Sequence, residues 1–200
     1  MTQIAAVQPK ADEADQLRAD LYRLLARLFS GPLDGAALAS VAGLQGDGSE
    51  LGQAISALAT TARDTTPDAA AEEYQQIFVG VSRGLLLPYG SYYLTGFLHE
   101  KPLARLRADM APLGIARRAG VVEPEDHIAA LMEMMAGLID GDFSAPQPLS
   151  VQSDFFARHI GAWASHFFSD LEDLPQARLY APVGRAGRLF MAVEAQAFEM

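Results

Sequence analysis

The chain has 200 residues, of which 15 are basic and 25 acidic, for a formal net charge of −10; half of it is hydrophobic. That is enough apolar material for one all-helical domain or two small lobes sharing a core, and the charge balance leaves no basic footprint for duplex DNA. The absence of cysteine excludes disulfides, thiolate metal sites and cysteine nucleophiles.

The opening stretch, MTQIAAVQPKADEADQ, has neither a basic n-region nor an apolar h-region. No apolar run approaches the roughly 18 residues of a membrane span. The expectation is a cytoplasmic, unprocessed chain with a flexible segment over 1–14 and one helical domain over 15–200. Its acidity suits a basic partner.

Leu17, Leu21, Leu24, Leu25 and Leu28 recur at helical spacing, with Tyr22 and Phe29 on the flank of the stripe. Asp12 or Asp15 is placed to cap this helix, and Ser30-Gly31-Pro32 ends it. Residues 33–44 and 50–63 read as short helices around the Gly46-Asp47-Gly48 turn. Pro67 starts another, with Tyr74, Ile77 and Phe78 on its apolar face. From Gly80 to Ser91 the sequence GVSRGLLLPYGS fits no amphipathic period. A loop of that length is either functional or a connection whose leucines plug the core. Helical spacing resumes over 102–111, with Pro102 in the first turn.

The segment Glu123-Pro124-Glu125-Asp126-His127 then heads a methionine-rich helix. Pro124 suits the first helical position, and the nearby acids complement the positive helix end. On a helical wheel Ile128, Leu131, Met132, Met135, Leu138 and Ile139 share one face. Asp126 and Glu133 fall on the other, and His127 on the margin beside Met134. The reading by physics alone is a well-made helix start, with a binding groove lined by Met132, Met134 and Met135 as the alternative. A further helix is expected over 151–172, carrying Phe155, Phe156, Ile160, Trp163, Phe167 and Leu171. A last one is expected over 183–198. Gly141–Ser150 is the candidate hinge, through which a helix swap is conceivable.

Enzyme signatures are missing. No second histidine stands four residues from His127, where Leu131 lies, so the zinc-protease pattern fails. His159 and His166, seven apart on one expected helix, are about 10 Å apart along its axis, too far to share an ion. Ser91 lacks the second glycine of a nucleophile elbow, since Tyr93 stands there. Gly80-Val81-Ser82-Arg83-Gly84 lacks the Lys-Ser/Thr of a P-loop. A metal-dependent or hydrolytic enzyme built on Asp126 and His127 remains the rival reading, together with a helical assembly adaptor. A carboxylate-rimmed groove would instead suit a peptide with arginines followed by an apolar stretch.

Five segments in order carry a resemblance: Tyr22-Arg23-Leu24-Leu25-Ala26-Arg27-Leu28-Phe29, Glu73-Tyr74-Gln75-Gln76-Ile77-Phe78-Val79-Gly80, Pro88-Tyr89-Gly90-Ser91-Tyr92-Tyr93-Leu94, Glu123-Pro124-Glu125-Asp126-His127 and His159-Ile160-Gly161-Ala162-Trp163. Together they resemble the TorD/DmsD family of redox-enzyme maturation chaperones over roughly residues 15–198. Ile77 and Val81 depart from the family pattern, where leucine and proline are usual.

The resemblance implies an all-α, single-domain helical bundle without catalytic residues, metal or cofactor of its own. It implies a cytoplasmic chaperone that binds the twin-arginine signal peptide, the body, or both, of the apo catalytic subunit of a molybdenum-dependent oxidoreductase. That subunit would be of the formate dehydrogenase or dimethyl sulfoxide/trimethylamine N-oxide reductase type. The chaperone would assist cofactor insertion and prevent premature export. The same resemblance places Tyr74, Pro88, Tyr89, Ser91 and Tyr92 in the peptide site, with Glu123, Asp126 and His127 at its rim or bracing it. No nucleic acid and no integral membrane segment are implied, and the chain is expected as a monomer or swapped dimer.

Overall fold

The computed structural model describes residues 13–117 and 120–199. Most of the segment expected to be flexible, and the expected cap Asp12, lie outside these residues. Among the described residues the fold is all-α, with ten α-helices and one isolated antiparallel bridge between Tyr89 and His127. None of these helices is long and apolar enough to cross a membrane.

Helix α1 (Glu13–Phe29) buries Ala19, Tyr22, Leu25, Ala26, Leu28 and Phe29. Two expectations are corrected here. Leu17 is 61% exposed, and Tyr22 is fully buried rather than flanking. The reason is Arg18, which turns inward to Glu194 and rotates the buried face past Leu17. Asp15 lies inside the first turn rather than at the cap, and pairs with Arg18 at 2.7 Å.

Helices α2 (Gly35–Ala42), α3 (Glu50–Arg63) and α4 (Pro67–Tyr74) start where Asp34, Ser49 and Thr66 accept a backbone N–H of the first turn. After α4 the chain continues as one π-helical turn, Gln75–Val79, ending at Gly80 with φ +66°. A Cβ at Gly80 would stand 2.0 Å from the Arg83 carbonyl oxygen, so both the φ and the space call for glycine. The irregular stretch is shorter than expected, because α5 (Gly90–Thr95) already includes Gly90 and Ser91. Its leucines divide: Leu86 packs against the core and Leu85 is exposed.

Helix α6 (Lys101–Met110) leads to α7 (Ile128–Asp140), and then come α8 (Leu149–His159), α9 (Ala164–Glu172) and α10 (Tyr180–Phe198). The single helix expected over 151–172 is therefore broken. Gly161 and Ile160 both donate to the Phe156 carbonyl, and the indole N–H of Trp163 donates to the His159 carbonyl at 2.8 Å. Trp163, at the break, is fully buried. His159 is buried against Asp109 at 2.8 Å, while His166 is exposed, so only the first is a core histidine.

The broadest helix pairs are α1 with α7 and α10 with α9, and α10 also crosses α3. Between them lies an aromatic core in which the Phe29, Phe78, Phe167, Phe168 and Tyr180 rings meet edge-on or tilted. The start of α10 is held from a distance. The Glu73 carboxylate on α4 accepts the backbone N–H groups of Arg178, Leu179 and Tyr180 at 2.8, 3.1 and 2.9 Å. The segment after α7 folds back onto it, with Phe143 packed so close to Gly137 that a Cβ there would meet its ring at 2.4 Å.

Candidate functional site

The expected site residues come from two segments that the fold clamps together. The Gly90 N–H donates to the Asp126 carbonyl at 2.9 Å, and the Ile128 N–H to the Pro88 carbonyl at 2.8 Å. The Asp126 carboxylate reinforces this clamp by accepting the Ser91 N–H at 2.7 Å. Asp126 is therefore 3% exposed, not facing solvent as the helical wheel suggests. The helix does not start at Pro124. Residues 124–127 form a turn in which the His127 N–H donates to the Pro124 carbonyl at 3.1 Å, and α7 begins at Ile128. Pairing with 88–91 pulls this backbone out of helical geometry, which a single-helix wheel does not contain.

His127 caps α7 through its side chain. Its Nδ1 accepts the Ala129 N–H at 3.1 Å, which leaves the proton of the neutral ring on Nε2. The Tyr89 ring stands edge-on to it, with centroids 5.1 Å apart. Burial pushes the His127 pKa down to about 4 against the pull of the Glu123 and Asp126 carboxylates. The Tyr89 hydroxyl donates to Glu123, and burial together with that carboxylate holds its phenol well above the usual range. Among the described residues, Ser91 Oγ and Asp126 Oδ1 are buried without a hydrogen-bond partner.

In front of the clamp opens a cavity of about 360 Å³. Phe29, Tyr74, Met110, Ile115, Met134 and Phe143 give it apolar walls, and Glu123, Glu125, Glu133 and Arg117 line it with charge. Of the eight expected residues, Tyr74, Glu123 and His127 line this cavity. Tyr89 and Asp126 adjoin it through Glu123 and through His127, and Pro88 and Ser91 lie in the clamp behind. Tyr92 is elsewhere: its hydroxyl accepts from Arg83 at 2.8 Å, and the guanidinium lies 5.3 Å from its ring centre. Of the three methionines expected in a groove only Met134 lines the cavity. Met132 and Met135 are fully buried in the core.

Tyr74 is fixed by its hydroxyl, which donates to the Phe29 carbonyl at 3.1 Å; burial and the Glu123 charge raise its pKa. Sequence reasoning missed Arg107 and Arg117. Arg107 on α6 holds Glu125 at 2.7 Å, and Arg117 lies 3.9 Å from its other oxygen. Burial works against the Glu125 charge, but the Arg107 bonds outweigh it and its pKa falls. Arg117 also donates to the Val121, Val122 and Glu123 carbonyls at 3.1, 2.8 and 3.2 Å. No local pattern announces these pairs, because each joins separate elements. Among the described residues no group of three His, Asp or Glu side chains is placed to hold a metal ion.

The fold and its cavity define an all-helical protein with an apolar pocket edged in acid. Residues 44–169 match the nitrate reductase delta subunit family, and the chain belongs to that family, the TorD-type redox-enzyme maturation chaperones. The chaperone protein TorD of Vibrio atlanticus is 26% identical over 204 residues, covering 91% of this chain and 94% of the relative. TorD of Shewanella loihica is 23% identical, covering 95% and 98%. The match to TorD of Vibrio cholerae, at 27% identity, covers 60% of this chain and 58% of the relative, so there the chain spans less than two thirds of the relative's length. A solved redox enzyme maturation protein of Archaeoglobus fulgidus shares the fold, with a TM-score of 0.59 at 23% identity over 88% of this chain and 94% of that one. These curated relatives are named as chaperone proteins, not as enzymes.

Proposed function

We propose that the chain is a cytoplasmic maturation chaperone that binds the twin-arginine leader of a molybdenum-dependent oxidoreductase's catalytic subunit, and holds that subunit from export until its cofactor is in place. The observation that carries this reading is the cavity itself. Apolar walls suit the hydrophobic stretch of a leader, and a carboxylate edge suits its arginines. Apolar burial supplies most of the affinity, and the charges set register and approach.

In this reading Tyr74, Glu123 and His127 touch the peptide. Pro88, Tyr89, Ser91 and Asp126 hold the cavity wall in shape. A formate dehydrogenase or a dimethyl sulfoxide or trimethylamine N-oxide reductase is the partner type. Calorimetric titration with a synthetic twin-arginine leader tests it, beside the same leader with both arginines changed to glutamine. Micromolar or tighter binding that weakens in the altered leader is the expected result. Equal binding of both leaders, or none of either, rejects the reading.

A further inference from the structure

The carboxylates of the cavity are unequally committed. Glu125 is taken by Arg107 and approached by Arg117. Glu123 accepts the Tyr89 hydroxyl. Glu133 lines the same cavity, is exposed, and makes no hydrogen bond or ion pair with any described residue. It stands on α7 one turn from Ala129 and Ala130 and next to Met134, and these four residues form one wall.

That wall has the form an arginine side chain needs. Its stem packs on apolar surface while its head reaches a polar mouth, and Tyr74 and Phe143 are among the residues that line the same cavity. The chain supplies an example of its own. Arg117, which lines the same cavity, donates to three successive carbonyls beside Glu125. A guanidinium is thus already accommodated here, and one uncommitted carboxylate remains. The volume, about 360 Å³, is at the lower end for small-ligand cavities. With one uncommitted carboxylate in its lining, the cavity offers a full charge partner to one guanidinium and not to two.

Resting on the leader-binding reading above, we infer that the cavity seats a single arginine of the leader's pair at Glu133, which makes Glu133 the residue that distinguishes the two arginines. The second arginine stays outside the cavity and contributes only general attraction to the acidic surface.

The test is a titration of the full chain with four leaders: both arginines present, each singly changed to glutamine, and both changed. It is run on wild type, Glu133→Gln and, as a control for net charge, Asp154→Asn at an exposed position outside the cavity. In the wild type one single change weakens binding about tenfold, the loss of one charge-assisted hydrogen bond, and the other changes it less than about twofold. Glu133→Gln binds the intact leader about tenfold more weakly and no longer separates the two single changes. Asp154→Asn behaves as wild type. Equal losses from both single changes in the wild type overturn the inference, as does Glu133→Gln keeping the wild-type profile. Absence of any leader binding by the wild type overturns the leader reading itself, and the inference with it.

Discussion

Two places in this chain bury carboxylates, and they do so differently. Between α1 and α10, Glu194 is fully buried, and both of its oxygens are used. The Arg18 guanidinium donates to them at 2.8 and 2.8 Å, and the Tyr22 hydroxyl donates to one at 3.0 Å. Behind the cavity, Asp126 is nearly as buried, yet only one of its oxygens is matched, and the neighbouring Ser91 hydroxyl is also unmatched. A network kept for stability satisfies every group, because an unmatched buried charge costs more than it returns. In the proposed leader site, a clamp that shapes the wall tolerates loose ends, because its task is position.

The sharpest way to break this contrast is Glu194→Ala. It leaves the half-buried Arg18 guanidinium with Asp15 alone and the buried Tyr22 hydroxyl without its acceptor, and should cost about 3–4 kcal/mol. The check is the midpoint of urea unfolding, with leader affinity per folded molecule unchanged.

The next effect comes from pH and separates the clamp from the network. His127 is neutral in the fold, with its pKa lowered from 6.5 to about 4. The unfolded chain therefore binds the extra proton first as pH falls. The stabilisation is complete above about pH 6.5 and is lost on the way down to pH 4, for a total of roughly 3 kcal/mol. His127→Asn keeps a side-chain cap but cannot titrate, so it should flatten this part of the profile. The buried His159 is shifted in the same direction by burial, opposed by Asp109, and its share should remain in that variant.

Asp126→Ala leaves the buried Ser91 N–H without an acceptor. It should cost about 1–3 kcal/mol and weaken leader binding through a loosened wall. Binding at wild-type strength in the folded variant would separate the clamp from the site. The smallest effect belongs to Ser91→Ala. It removes a hydroxyl that has no partner, so stability should move by less than about 0.5 kcal/mol. A large loss would show that the hydroxyl is satisfied after all and erase the contrast.

Sequence pattern showed the helices wherever one face is simply apolar. The starts of α3 and α4 at Glu50 and Pro67 fall where the Gly46-Asp47-Gly48 turn and the proline put them, and the all-α class follows. It failed where tertiary partners override local preference. Pro124 reads as a helix start, but bonds from Pro88, Gly90 and Ser91 hold 124–127 as a turn. The stripe from Phe155 to Leu171 reads as one helix, but the Phe156 carbonyl takes both the Ile160 and the Gly161 N–H and the helix breaks before Trp163. Of the site, the segment 123–127 and Tyr74 were legible as motif. Arg107 and Arg117 were not, because what gives them a role is proximity to Glu125, and proximity is not written in local spacing.

The pairing of Arg18 with Glu194 also bears on how the chain is made. The two residues are 176 positions apart, and the second lies near the end of α10. While the chain leaves the ribosome, α1 meets its broadest neighbour, α7, long before α10 exists. The Arg18 guanidinium then has Asp15 alone and the Tyr22 phenol has no acceptor, so this end of the inner face of α1 closes only after α10 has been synthesised. Nascent chains stalled before α10 should remain protease-sensitive around Arg18 and Tyr22, and gain protection there once Glu194 is released from the exit tunnel.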